Sequence, residues 1–378
     1  MKIRIESSVL ANKNLSGVAN YTKMLIMALE NKPGVETYAS YFSFLDRQPE
    51  PQLNLKLPLE KNNLIPLRVY AKLQSYNIAP PFDINLHAVD LTVFPNFATW
   101  PTIKSKLRAT VIHDLTYLYF PEVVEKKNLD HLRRVLPRSI KQADFIITPS
   151  EAVKAEIVKE FSLSPDRCVV TTIPPDEKFL HKNNNEIHKK YGIPTERFIY
   201  FIGNLEPRKD LPTLIKAYRK LPNILKDEYS LIMAGGHGWH TEKSMVAIKE
   251  AQRSGDNVYH IGFVDDEDAA TFFQKATIFV MPSIYEGFGI PILEAMASGC
   301  PVIASNIPVL CEVGGDAALF AKASDSNSFK EVIQKLLNDE PLQRELVKKG
   351  KRQLDNFSLE KNALKVVEKV NELLKNDN

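Results

Sequence analysis

The sequence predicts an α/β protein of two doubly wound domains, on three observations. Its 378 residues exceed what one hydrophobic core comfortably holds. Short apolar runs such as FIYFI at 198–202 and IFVM at 278–281 have the length of buried strands. Both halves repeat an order of strand, glycine-bearing turn and helix, which is how parallel sheets are built.

The composition sets the class. Apolar residues make up 44% and charged residues 25%, ordinary for a globular chain. Cys168, Cys300 and Cys311 are odd in number and lack metal-ligand spacing, so they read as buried thiols of a reducing compartment. Met1 to Glu6 already resembles a first strand rather than a secretion signal. No apolar run approaches the roughly 18 residues of a spanning helix, so any membrane contact would be peripheral. Net charge is +3, yet residues 1–175 hold 22 Lys and Arg against 17 Asp and Glu. That basic excess suits an anionic partner such as a lipid head group or lipid diphosphate, and equally an ordinary solvated surface.

In the first half, Lys2 to Ile5 begins a strand, Ser7 to Leu15 is a loop, and Ser16 caps a helix in which Val18, Leu25, Ala28 and Leu29 form an apolar stripe. Gly17 at this turn permits close backbone approach to a neighbour. Residues 46–82 contain Pro49, Pro51, Pro58, Pro66, Pro80 and Pro81 and read as an excursion from the sheet, with a helix-like piece from Arg68 to Tyr76. Leu91–Phe94 and Ala109–Ile112 are strands, and His113 at the carboxyl edge of the second points into the crevice where such sheets bind ligands or, more plainly, is a hydrogen-bonded structural histidine. A helix over 128–143 exposes Arg133, Arg134, Arg138 and Lys141. The strand from Phe145 then ends at Ser150, which caps the next helix.

Pro174-Pro175 and the polar run 181–185 read as the linker to the second half. The strand 198–202 exits through Gly203-Asn-Leu-Glu-Pro-Arg208-Lys209-Asp210, and a helix carrying Leu214, Ile215 and Tyr218 follows. Adjacent cations after a strand-end glycine can clamp diphosphate oxygens or, as an isolated pair, be plain surface charges. Strands at 230–233 and 258–261 lead to Gly235-Gly236 and to Gly262-Phe263-Val264. Asp265 to Asp268 starts a helix rather than a metal site.

The most informative stretch is 277–305. An apolar strand is stopped by Pro282 and Ser283, and the loop Glu286-Gly287-Phe288-Gly289 follows. A helix begins near Ile290 and Pro291, buries Ile292, Leu293, Ala295 and Met296, and ends at Gly299 and Pro301. Free amides and the positive end of a helix dipole make an anion site there. Glu286 and Glu294 bracket it, able to accept hydrogen bonds from sugar and ribose hydroxyls or, more plainly, a solvated loop acid and a dipole-stabilising acid. The segment 312–316 reads as a further loop, and 358–374 as a helix with Ala363, Val366 and Val370 on one side.

Glu286 to Glu294, followed by Ala295 to Val302, resembles the signature of retaining glycosyltransferases of family 4. Those have the GT-B fold, two Rossmann-like doubly wound domains facing across a cleft. His113 to Glu122 resembles the His-Asp segment of bacterial mannosyltransferases of that family. Arg208-Lys209 resembles its donor-phosphate pair, with Asp210 where Asn or Gly is usual, and Gly17 its first-turn glycine. The resemblance implies that His113, Glu286, Arg208 and Lys209 are catalytic, the first two facing the donor sugar and the cations the diphosphate. Gly17, Gly203, Gly287, Phe288, Gly289 and Ile290 would approach the nucleotide sugar, Phe263 and Val264 would read its base through their backbone, and Glu294 would hold its ribose. The implied layout is an acceptor-side domain over 1–175, a linker over 176–195, a nucleotide-sugar domain over 196–355, and a last helix over 356–378 returning to the first domain.

The activity so implied is transfer of a hexose, mannose from GDP-mannose being favoured, to a glycan or lipid-linked glycan. No metal or other cofactor is required and no nucleic acid is a partner. The protein would be cytoplasmic, with any membrane contact at the inner face. As no carboxylate stands out as a covalent nucleophile, same-face attack is the favoured route. A sugar-nucleotide epimerase of the same fold and a non-catalytic nucleotide-sugar-binding protein are the alternatives.

Overall fold

The computed structural model describes residues 1–11, 17–46, 57–183, 185–236 and 238–376, and the apolar runs pair in parallel into two sheets. The first contains β1 (Lys2–Glu6), β2 (Glu36–Phe42), β3 (Leu59–Asn62), β4 (Val89–Phe94), β5 (Ser105–Val111), β6 (Phe145–Thr148) and β7 (Cys168–Val170), in the order β3-β2-β1-β4-β5-β6-β7. The chain therefore leaves β1 in one direction and returns to β4 on its other side, the switch point at which open α/β sheets bind ligands. Helices α1 (Gly17–Glu30), α2 (Leu67–Ser75), α3 (Thr116–Tyr119), α4 (Lys126–Gln142) and α5 (Glu151–Phe161) connect the strands.

Two features depart from the sequence reading. The stretch 46–82 is not wholly an excursion: β3 pairs with β2 from Ala39↔Leu59 to Phe42↔Asn62, and α2 follows. β3 reads LEKN and lies at the sheet edge, so an apolar signal is missing. Its Glu60 is buried against the fully buried Arg4 of β1, with Nε 2.6 Å from Oε2. Pro49, Pro51 and the cap expected at Ser16 lie outside the described residues. Ser150 does cap α5, its Oγ accepting from the Val153 amide at 3.2 Å.

The second sheet contains β8 (Phe198–Ile202), β9 (Ser230–Ala234), β10 (Val258–Gly262), β11 (Ile278–Met281), β12 (Val302–Ser305) and β13 (Ala318–Ala321), ordered β10-β9-β8-β11-β12-β13, with its switch point between β8 and β11. Its helices are α6 (Ile187–Tyr191), α7 (Leu211–Arg219), α8 (Asn223–Glu228), α9 (Glu242–Arg253), α10 (Asp266–Lys275), α11 (Ile290–Ala297), α12 (Pro308–Gly314), α13 (Ser326–Leu337) and α14 (Glu340–Gln353). Asp265 caps α10, accepting from the Asp268 amide at 2.9 Å. The segment 312–316, read as a loop, is the end of α12 and the turn after it, because Val309, Leu310 and Val313 are buried on one side. The last helix, α15 (Leu359–Asn376), packs against α1 and β7.

Residues 1–119, 126–173 and 358–378 form one compact unit, and residues 120–125 and 174–357 the other. The expected linker 176–195 is thus part of the second unit, where Phe179 and Ile187 are buried. The short segment 120–125 is held there by stacking of Phe120 on Tyr285, with centroids 5.3 Å apart, and by the Trp239 indole donating to the Val123 carbonyl at 2.6 Å. Among the described residues no helix is long and apolar enough to cross a membrane.

Candidate active site

The second switch point collects the charge. The loop leaving β8 carries Glu206, Arg208 and Lys209, and the loop leaving β11 carries Glu286. The two are tied by the Ile284 amide donating to the Arg208 carbonyl at 2.8 Å. Arg208 Nη1 lies 2.6 Å from Glu286 Oε2, and Lys209 Nζ lies 2.6 Å from Oε1. Glu206 receives the Arg208 Nε at 2.9 Å from the other side. Glu206, Lys209 and Glu286 are buried, so these are charge-assisted contacts in a medium poorer in water than the surface.

Burial works against the Glu286 carboxylate, but Arg208 and Lys209 more than offset it and hold its pKa down at about 2. Burial pushes the Lys209 ammonium below its ordinary value, with the Glu286 contact acting the other way.

Glycines give this cluster its space. At Gly235, φ is +136°, and a Cβ there would stand 2.0 Å from the Gly203 carbonyl oxygen. The exits of β8 and β9 can lie this close only without a side chain. The Lys209 Cε in turn lies 3.5 Å from where a Gly203 Cβ would be. At Gly289, φ is +104°, and this residue turns the loop into α11, while Pro291 occupies the first helical turn where no N–H is needed.

The sequence-predicted residues of the second unit fall into two groups. Arg208, Lys209 and Glu286 meet directly, Gly203, Gly287, Phe288 and Gly289 adjoin them in the same two loops, and Ile290 opens α11. The Phe288 ring itself packs edge-on to Phe357, with centroids 5.8 Å apart, so the backbone rather than the ring is what this loop offers a ligand. Glu294, on α11, is partly exposed and close enough to the buried Tyr200 to add to the upward push that burial gives the phenol. Phe263 and Val264 follow β10, two strands from β8 in the sheet. The Phe263 side chain is exposed and Val264 is buried.

In the first unit, His113 follows β5, and its Nε2 lies 2.7 Å from the Pro95 carbonyl at the exit of β4. That contact makes Nε2 the donor and leaves Nδ1 as an acceptor. Tyr21 of α1 lies edge-on to the imidazole with centroids 5.0 Å apart, Phe97 likewise at 5.6 Å, and Tyr21 is itself bonded through its hydroxyl to Thr171. Burial is the main influence on His113 and lowers its pKa, so the ring is neutral at pH 7. Gly17 opens α1 with open space around its Cα.

Two acids were missed by sequence reasoning. Glu206 was visible only as part of the exit loop. Glu6, the last residue of β1, is buried at the first switch point and accepts from the Ser8 amide at 3.0 Å. Burial raises its pKa to about 7. Its one legible signal was its place at the carboxyl end of the first strand.

Comparison with known proteins places this geometry. Residues 183–353 match the family described as glycosyl transferases group 1. The chain is 33% identical over 254 residues to the O-antigen chain mannosyltransferase B of Escherichia coli, covering 66% of each. It is 31% identical over 242 residues to the serotype-specific mannosyltransferase WbdA of Escherichia coli, covering 62% of this chain and 29% of that one. The chain thus spans just under two thirds of the first relative's length and well under half of the second's. Among solved structures, the sucrose-phosphate synthase of Thermosynechococcus elongatus superposes with a TM-score of 0.71 at 17% identity over 99% of both chains, a likeness of fold. The two doubly wound parallel sheets together with this likeness give the chain the GT-B fold.

Proposed function

We propose that the protein is a hexosyltransferase that moves mannose from a nucleoside diphosphate sugar, GDP-mannose being favoured, to a glycan or lipid-linked glycan with retention of configuration. The observation that carries this reading is the convergence of Arg208 and Lys209 on Glu286 beside the Gly287–Gly289 backbone. Donors already gathered and desolvated at one point are what a departing diphosphate requires.

In this reading the cations exchange partners. Diphosphate oxygens take over Arg208 and Lys209, and the amides at the head of α11 share the load. Glu286, kept ionised, is released to accept hydrogen bonds from donor-sugar hydroxyls. Charge grows on the diphosphate as the glycosidic bond breaks, so the cations bind the transition state more strongly than the ground state. The chemistry therefore needs no metal. Glu294 holds the ribose, the backbone at Phe263 and Val264 meets the base, and His113 offers its Nδ1 to a sugar hydroxyl. The acceptor attacks from the face the diphosphate leaves, with a leaving oxygen taking the proton. The mannosyltransferase names of the relatives favour this sugar.

The test has two parts. GDP, UDP and ADP are compared by thermal shift, where a ligand at about 100 times its dissociation constant adds about 2.7 kcal/mol to the folded state. GDP is expected to give the largest shift, and no shift from any of the three would remove the nucleotide-sugar reading. Turnover of GDP-mannose is then followed with Lys209→Ala and Glu286→Ala, each expected to lose about two decades or more. Near-normal turnover in a variant strikes that residue from the mechanism, and consumption of the sugar nucleotide with no acceptor present would mark an epimerase.

A further inference from the structure

The charge cluster of the second unit contains one acid to which the proposed reaction gives no part. Glu206 is buried, at 6% exposure, and stands just before the short turn that carries Arg208 and Lys209. Its Oε2 accepts the Arg208 Nε–H at 2.9 Å, while Arg208 Nη1 donates to Glu286 Oε2 at 2.6 Å and lies 3.5 Å from the Tyr285 carbonyl. The guanidinium is thus gripped twice, at Nε by its own loop and at its tip by the loop that leaves β11. The loop that leaves β9 walls in the acid from behind. A Cβ on Gly238 would stand 2.7 Å from Glu206 Cγ and 3.0 Å from the Leu205 carbonyl oxygen. That backbone is tied on both sides of Gly238, by the Leu205 amide donating to the Gly236 carbonyl at 3.0 Å and by the Trp239 indole donating to the Val123 carbonyl at 2.6 Å.

A carboxylate beside a cation that binds an anion works against that binding, because it repels the incoming charge. What it contributes is geometry. An arginine side chain has many rotamers, and holding it at Nε fixes the plane of the fork while its terminal N–H groups still point outward. Once Glu286 gives way to a diphosphate, the grip at the tip is gone and the grip at Nε is what keeps the fork aimed. We propose that Glu206 is a positioning residue that acts through Arg208, holding the guanidinium by Nε so that Nη1 meets the diphosphate oxygens that replace Glu286. The role rests on the reading of Arg208 as a diphosphate ligand given above, and Glu206 itself touches no substrate.

Titration calorimetry of the full chain with inorganic pyrophosphate tests it, alongside turnover of GDP-mannose. Glu206→Ala should weaken pyrophosphate binding by about tenfold, the cost of ordering a side chain that is no longer held. It should also lower kcat more than it changes KM, since the charge that Arg208 meets grows as the bond breaks. Glu206→Gln keeps an oxygen that accepts from Nε and loses the negative charge, so it should bind pyrophosphate as the parent does or more tightly. In an Arg208→Met background, Glu206→Ala removes only a charge, and binding should be unchanged or tighter. Gly238→Ala, which displaces the acid without removing it, should weaken binding in the presence of Arg208 alone, and it keeps the test open if Glu206→Ala does not fold. Equal losses from Glu206→Ala with and without Arg208 overturn the proposal, because lost packing would produce them. So does a Glu206→Gln variant as weak as Glu206→Ala, or a parent that does not bind pyrophosphate. A parent that binds pyrophosphate without turning over GDP-mannose strikes the transfer reaction proposed above, and the binding cycle still decides the role of Glu206.

Discussion

Each switch point buries a glutamate, and the two are treated in opposite ways. Glu6 ends β1 with an amide hydrogen bond, and burial raises its pKa to about 7. Glu286 follows β11 and is just as enclosed, yet Arg208 and Lys209 hold it at about 2. Topology alone therefore does not decide what a strand-end acid can do. Two cations brought by a neighbouring loop turn a carboxyl that resists ionising into one that is always ionised. The second unit is built around fixed charge. The first holds a neutral imidazole, an aromatic wall and an acid that titrates near neutrality.

The comparison can be broken most severely at Gly235. Gly235→Ala drives a Cβ into the Gly203 carbonyl and separates the two loop exits that the charge cluster needs. The expected result is a chain that does not accumulate in folded form, seen by soluble yield and circular dichroism. Glu286→Ala leaves the buried Lys209 and the partly buried Arg208 without their shared partner and should cost about 3–5 kcal/mol at pH 7 in urea melts. A cycle with Lys209→Met should recover part of that loss.

The pH dependences sharpen the contrast, because their signs oppose. The Glu286 contribution is complete above its unfolded value near 4.5 and is lost as pH falls towards about 2. Glu6 behaves in reverse: the folded state keeps its proton longer than the unfolded state, so stability declines as pH rises from near 4.5 to about 7. Glu6→Gln should therefore stabilise the protein by about 3 kcal/mol at pH 8 and by little at pH 5. An equal effect at both values would mean that the carboxyl is solvated. The smallest effect is expected from Gly17→Ala, within about 0.5 kcal/mol, since nothing lies within 4 Å of the added Cβ. A loss of folded protein like that of Gly235→Ala would place a constraint on Gly17 that the fold does not show.

Most of the fold was legible where strands are apolar on both faces, as in 198–202 and 278–281, because central parallel strands leave no ambiguity of period. β3 was not, since an edge strand of four residues held by Glu60 and the buried Arg4 has no apolar pattern to read. The 176–195 segment was misread because polar residues between short helices resemble a tether. Its buried Phe179 and Ile187 show their role only against the second sheet. The meeting of Arg208, Lys209 and Glu286 was foreseeable only through the family resemblance, since the sequence does not give the order that sets β8 beside β11. The burial of Glu6 and Glu206 was not, because an acid at a strand end looks the same in sequence whether water reaches it or not.

The first unit is discontinuous in the chain, and this constrains the order of synthesis. Synthesis has added every residue of the second unit by position 357, while the first still waits for α15 to cover α1 and β7. The amino-terminal lobe, though begun first, is completed last, so for most of translation it is a half-closed intermediate that a chaperone would find before its final helix does.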